Sequence, residues 1–240
     1  GFAHSCAVLT DGTMMCWGDN TMGQLGVGDT NTRLIPTQVP GITSAKSVAL
    51  GQYHTCALLQ NSSISCWGSN DNGQLGLGDQ RNRLTPTLVP DITNGKIISL
   101  GADHTCAVLG DGYVTCWGAN GYGQLGLGDN AYRNTPQLLP NIRYDTAPAK
   151  SVALGAFHTC ALLEDGTVMC WGRNNYGQLG LGDTTDRKLT TPHSTDYDLY
   201  ALIQNVSSAT SISLGVEHTC AVLGDGSVLC WGRNNYGQLG

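Results

Sequence analysis

Charge is scarce in this 240-residue chain: Asp, Glu, Lys and Arg make up 12% of it, against 40% apolar residues. So little charge beside so much apolar material excludes an intrinsically disordered chain and leaves enough for one sizeable core. Basic residues are the scarcer sign, 12 Lys+Arg against 18 Asp+Glu, for a formal net charge of −6. A nucleic-acid-binding surface shows as a basic excess, so no nucleic-acid partner is expected. No apolar run approaches the ~20 residues that cross a bilayer, so no membrane span is expected in this segment. There is no signal peptide either, but the first residues fall in mid-repeat. The chain therefore reads as a piece of a longer protein, and targeting is left open.

Catalytic signatures are also missing. No Ser-His-Asp set, nucleophile elbow or paired-carboxylate motif stands out, which points away from an enzyme. The run from Gly73 to Asp79, Gly-Gln-Leu-Gly-Leu-Gly-Asp, lacks the Lys-Ser/Thr of a phosphate loop. Structural zinc needs four ligands, whereas His4, Cys6 and Cys16 offer three and there is no Cys-x-x-Cys pair. No metal or cofactor is expected.

Glycine is abundant. Its 33 copies are about twice the average of roughly 7% and point to many tight turns. They recur with a period near 50 residues. Gly1, Gly51, Gly101, Gly155 and Gly215 each open a Gly-x-x-His-[Ser/Thr]-Cys-Ala-[Val/Leu]-Leu segment. A turn, a Cys-Trp-Gly and a Gly-Gln-Leu-Gly follow each time. The repeats are 1–50, 51–100, 101–154, 155–214 and a truncated 215–240, within a single region spanning 1–240.

Inside one repeat the pattern is that of strands. His4 to Leu9 and Thr13 to Gly18 flank Thr10-Asp11-Gly12, a three-residue loop ending in Gly that fits a type I turn closed by a residue with positive φ. This loop sets Leu9 opposite Thr13 and Cys6 opposite Cys16. Alternation puts His4, Cys6, Val8, Met14 and Cys16 on one face and Ala7, Leu9, Met15 and Trp17 on the other. Both faces are apolar, so each hairpin is expected to lie between neighbouring sheets. Thr37-Gln38-Val39 and Ser47–Leu50 supply two further strands. Four-stranded units of this length arranged radially make an all-β propeller.

The string Gly-x-x-His-[Ser/Thr]-Cys-Ala-[Val/Leu]-Leu, then Cys-Trp-Gly-x-Asn-x-x-Gly-Gln-Leu-Gly-[Leu/Val]-Gly-Asp, then Arg-x-x-Pro resembles the RCC1 (regulator of chromosome condensation) repeat along essentially the whole chain. The resemblance implies a propeller of about seven blades, of which this chain supplies an incomplete part. It also implies a choice of functions. Nuclear members promote guanine-nucleotide exchange on a small GTPase, and exported members bind β-lactamases as inhibitors. A plant branch senses ultraviolet light through Trp-Arg just before its His-Thr pair. Here those slots hold Phe2-Ala3, Gln52-Tyr53, Ala102-Asp103, Ala156-Phe157 and Val216-Glu217, which excludes photoreception.

All ten cysteines fall in pairs ten residues apart: Cys6 with Cys16, Cys56 with Cys66, Cys106 with Cys116, Cys160 with Cys170, and Cys220 with Cys230. The derived register places each pair across a hairpin within disulfide reach, which points to an oxidising compartment. Two glycosylation sequons, at Asn61 and Asn205, point the same way. The five repeated histidines read as architecture, hydrogen-bonded to backbone between blades, and the five tryptophans as wedges. Function is expected where repeats depart from one another, on the insertions carrying Arg143, Tyr144 and Asp145, and His193, Tyr197, Asp198 and Tyr200. The favoured reading is an extracellular or cell-surface scaffold, part of an adhesin, coat or filament, with protein or glycan partners or self-association. The alternatives are the intracellular exchange-type regulator and the secreted inhibitor.

Overall fold

The computed structural model describes residues 1–139, 142, 146–188, 203, 206 and 208–240, and among these every regular element is a strand. The first sheet holds β1 (His4–Val8), β2 (Met14–Gly18) and β3 (Arg33–Gln38). The second runs β4 (Ala45–Leu50), β5 (His54–Leu59), β6 (Ile64–Gly68) and β7 (Arg83–Leu88). The third repeats this order with β8 (Gly95–Leu100), β9 (His104–Leu109), β10 (Val114–Gly118) and β11 (Arg133–Leu138). The fourth has β12 (Ala149–Leu154), β13 (His158–Leu163) and β14 (Val168–Gly172), and the fifth β15 (Ala209–Leu214), β16 (His218–Leu223) and β17 (Val228–Gly232). Pairing is antiparallel throughout. β4, β8, β12 and β15 pack side by side along the axis, so the sheets are radial blades of a propeller.

The hairpin register follows from the turn. Cys6 lies opposite Cys16 and Ala7 opposite Met15, while Leu9 donates its N–H to the Thr13 carbonyl at 2.9 Å. Gly12 closes the turn at φ 82°, and Ser62 holds the same slot of the second blade at φ 67°. The outer strand begins earlier than the Thr37–Val39 core suggests, at Arg33, because a bulge between Cys16 and Gly18 lets Gly18 pair with Arg33. Pro36, Pro86 and Pro136 sit in β3, β7 and β11, on sheet edges where a missing N–H is tolerated and further pairing is discouraged.

Blades pack cysteine face against tryptophan face. Cys56, Leu58, Ile64 and Cys66 of the second blade meet Ala107, Leu109 and Trp117 of the third, and the same residue types recur at the other boundaries. The cysteines are joined as the register requires, each bridge tying the two middle strands of one blade. Cys6 bonds Cys16, Cys56 bonds Cys66 and Cys106 bonds Cys116. In the last two blades Cys160 bonds Cys170 and Cys220 bonds Cys230, and in all five the Cα atoms are 4.1 Å apart. Closing loops of this length contributes roughly 2.5–3 kcal/mol per bridge in the chain-entropy account.

A polar relay crosses every described blade boundary. His54 Nε2 lies 3.0 Å from Thr105 Oγ1, which donates to the Gln74 carbonyl at 2.8 Å. The Trp117 indole N–H reaches the same carbonyl at 2.9 Å. His4–Thr55, His104–Thr159 and His158–Thr219 repeat the arrangement on Gln24, Gln124 and Gln178. The histidine contact thus runs through a threonine hydroxyl and not directly to backbone. A carbonyl only accepts and a hydroxyl has one proton, so Nε2 carries the hydrogen, and burial of the ring keeps it neutral. Among the described residues, Nδ1 is left buried without a partner in His4, His54, His104 and His158. A β-carbon on Gly51 would strike the His54 ring, which is why glycine precedes each histidine by three positions.

Burial pushes His54, His104 and His158 down to about 3, and His4 to about 4. The unfolded chain takes up these protons below about pH 6.5 and the native state does not. Stability is therefore fully present above that pH and falls as pH drops towards 3, with each buried histidine approaching a slope of about 1.4 kcal/mol per pH unit. Asp29, Asp79, Asp129 and Asp183 are held below the usual carboxylate range, first by hydrogen bonds from their arginine partners. Their contribution is present above about pH 4 and adds to the loss only below it. Asp103, raised by burial and then by Asp71, acts in the opposite sense but singly. Urea midpoints measured at pH 7.5, 6.0 and 4.5 should fall steadily; a flat profile would exclude the neutral relay.

A candidate docking surface on the loop face

The Gly-x-x-His turns precede β5 and its equivalents, and the Asn-x-x-Gly-Gln-Leu-Gly loops follow β6 and its equivalents. Because Gly68 pairs with His54, both sets emerge at the same rim, the loop face, while the Asp-Gly hairpin turns lie at the opposite rim. The loops are closed internally. Asn20 Oδ1 accepts from Leu25 N–H at 2.9 Å and its Nδ2 donates to the Asp29 carbonyl at 2.9 Å. Arg33 pairs with Asp29 at 2.7 Å and donates to the Asn31 carbonyl at 2.7 Å. The Asp79–Arg83, Asp129–Arg133 and Asp183–Arg187 pairs repeat this closure.

At the axis, backbone hydrogen bonds link successive turns: Gln52 N–H to Ala102 O at 3.1 Å, Ala102 to Ala156 at 3.4 Å and Ala156 to Val216 at 3.1 Å. Around them opens a largely apolar pocket of about 630 Å³, lined in part by Phe2, Ala102, Leu154, Ala156, Phe157 and Val216.

Beside this pocket the last three blades share a cluster that the first two lack. The Arg173 guanidinium lies 4.9 Å from the Tyr122 ring centroid and 5.6 Å from that of Phe157, and those two rings are 5.4 Å apart. Glu217 takes Arg233 at 2.6 Å on one oxygen and faces Arg173 at 3.6 Å on the other. Arg233 in turn lies over Tyr176 at 5.2 Å and Tyr236 at 5.5 Å. The slot of Arg173 and Arg233 holds Asp19, Ser69 and Ala119 in the earlier blades. Nothing about these side chains is needed for the repeat itself.

The residues singled out on the insertions, Arg143, Tyr144, Asp145, His193, Tyr197, Asp198 and Tyr200, lie outside the described residues, as does Asn205. Asn61 is exposed on a hairpin turn. Its Oδ1 accepts from the Ser63 N–H at 3.1 Å and hydroxyl at 2.7 Å, so its Nδ2 is left without a hydrogen bond among the described residues. Reading insertions alone misses the arginine–aromatic cluster. Its signal lies in the variable slots inside the constant motif, the x of Cys-Trp-Gly-x, of Asn-x-x-Gly and of Gly-x-x-His.

A model of the Regulator of chromosome condensation (RCC1) repeat matches residues 11–58, 64–108, 111–162 and 165–222. The chain belongs to the RCC1-repeat family. A second RCC1-repeat model matches 45–74, 96–124, 149–178 and 209–238. Over 91 residues the chain is 41% identical to the ultraviolet-B receptor UVR8 of Arabidopsis thaliana, covering 38% of this chain and 19% of that protein. Over 89 residues it is 39% identical to human HERC4, a probable E3 ubiquitin-protein ligase, covering 37% of this chain and 8% of that protein. Among solved structures, yeast RCC1 (Prp20) bound to Kap60 superimposes with a TM-score of 0.81 at 24% identity, over 97% of this chain and 55% of that one. Human WBSCR16 gives 0.80 at 23% identity, over 99% and 61%. The chain thus spans under a fifth of these two curated relatives and somewhat over half of the two solved chains. The structural likeness establishes the RCC1 propeller fold.

Cation–π contacts of this kind contribute about 0.5–1 kcal/mol at exposed sites. A double-mutant cycle of Tyr122→Leu with Arg173→Met, read by urea denaturation, should return a coupling of about that size. A coupling near zero would show that this contact between the third and fourth blades adds nothing to the fold.

Proposed function

We propose that this propeller is a non-catalytic protein-binding scaffold of an extracellular or cell-surface protein, and that it docks its partner on the loop face. The observation that carries the reading is the Tyr122–Phe157–Arg173–Glu217–Arg233–Tyr176 cluster beside the axial pocket. An apolar centre flanked by tyrosine and arginine has the make-up of protein-interaction hot spots. Phe157 belongs to both halves of this surface, bordering the pocket and standing over Arg173. The cluster occupies positions where the repeat varies, which separates it from the constant relay beneath. Among related structures, yeast RCC1 is bound to Kap60, and Prp20p is described with binding properties to Gsp1p and histones. Protein docking on such a propeller has that precedent.

The compartment reading rests on the disulfides, which take up all ten cysteines. Bridges of this number persist in oxidising surroundings. The free amide of Asn61 supports the sequon as a glycan acceptor. Photoreception is not proposed, since no Trp-Arg stands before any of the histidines.

Blocking the pocket tests the docking face. Ala156→Arg should abolish partner capture by the native protein, while Asp165→Arg on the opposite rim should leave capture intact; equal capture by both variants would move the site elsewhere. Non-reducing peptide mapping of the protein from its native source tests the compartment. Five intramolecular bridges are expected, with sugar on Asn61 if the host glycosylates. Ten free thiols would overturn the extracellular reading and favour an intracellular exchange-type regulator.

A further inference from the structure

We infer that Arg173 is the anchor of this docking face and receives a carboxylate from an acidic segment of the partner protein. The inference rests on the loop-face reading above and assigns its partner chemistry. The main chain at this position is fixed, since the Arg173 N–H donates to the Phe157 carbonyl at 2.9 Å. The guanidinium then rests against the adjoining Tyr122 and Phe157 rings, with a quarter of the side chain (25%) exposed. Orientation is therefore settled before any partner arrives, and little side-chain freedom is left to lose on binding.

Its hydrogen-bonding capacity is uncommitted. Arg33, Arg83, Arg133 and Arg187 each engage an aspartate and a backbone carbonyl. Arg173 donates no hydrogen bond from its guanidinium to any described residue. Its one ionic neighbour among the described residues, Glu217, stands at 3.6 Å and is committed to Arg233 at 2.6 Å. A guanidinium carries five N–H donors in a planar fork matched to a carboxylate. Walled by two aromatic rings, these donors are less screened than on an open surface, and an incoming carboxylate gains more from them.

Charge selects the same occupant. Two guanidinium groups share one carboxylate here, leaving a local excess of one positive charge. Outside the Asp–Arg pairs, the other half of the loop face carries Asp19, Asp71 and Asp103 against Arg81 alone. An acidic segment is repelled there and drawn to the fourth and fifth blades, which also fixes its direction across the pocket.

The test uses the full chain with capped tetraglutamate as probe and capped tetraglutamine as its neutral counterpart. In protein labelled with 15N-arginine, the Arg173 side-chain signal is identified by its loss in Arg173→Lys. Tetraglutamate should shift that signal saturably and tetraglutamine should not. By fluorescence anisotropy of labelled tetraglutamate, Arg173→Met should weaken binding at least fivefold. Lys46→Met, which removes the same charge from an exposed inner strand, should change it less than twofold. Arg173→Lys, which keeps the charge and loses the fork, should fall between. Equal losses in Arg173→Met and Lys46→Met, or a probe that shifts other arginines and not Arg173, would overturn the assignment. Because Ala156→Arg addresses docking of the native partner independently, a failure at Arg173 alone leaves the docking face standing.

Discussion

A threonine hydroxyl has one proton to give, and the propeller is organised around where that proton goes. At each described boundary it goes to the glutamine carbonyl of the preceding blade. The histidine of that same blade must then supply the N–H, and its buried ring stays neutral and fills the space that a side chain on the glycine three positions earlier would need. The tryptophan of the following blade meets the same carbonyl, so its ring is placed as well. One proton thus aligns two blades in the low-dielectric space between them, where a misplaced polar group is expensive. Only with the blades so aligned do the cysteine and tryptophan faces close over one another.

Much of this was legible in the residues. A turn of Thr10-Asp11-Gly12 sets the register, the register sets which faces the cysteines and tryptophans occupy, and the two apolar faces demand radial packing. The internal repeat strengthens the inference, because each pairing has to hold five times, from Cys6 with Cys16 through to Cys220 with Cys230. Proline at Pro36, Pro86 and Pro136 marks the outer edge. The bulge at Gly18, which starts the outer strand at Arg33, was not visible, since a bulge breaks the very alternation from which strands are read.

The arginine–aromatic cluster was hidden for a different reason. Tyr122, Phe157, Arg173 and Glu217 come from three blades and from three different positions of the motif. The register of one hairpin sets Arg173 beside Phe157, but the approach of Tyr122 and Glu217 to Arg173 depends on how far one blade is rotated against the next, a quantity absent from any periodicity within a blade. Asked only whether Trp and Arg stand before the histidine, the slots of Phe157 and Glu217 answer in the negative. What those residues do instead becomes apparent only once Arg173 and Arg233, from the far end of each hairpin, arrive beside them.

Each described boundary is written by the same few residues: a histidine and a glutamine carbonyl on one side, a threonine and a tryptophan on the other. A blade has no particular neighbour inscribed in it. A gene encoding such a chain can gain or lose a unit by unequal recombination, and the inserted blade meets compatible partners on both flanks. The constant relay therefore frees copy number and surface to drift separately, and an arginine can enter one blade's rim while the boundary beneath it stays unchanged.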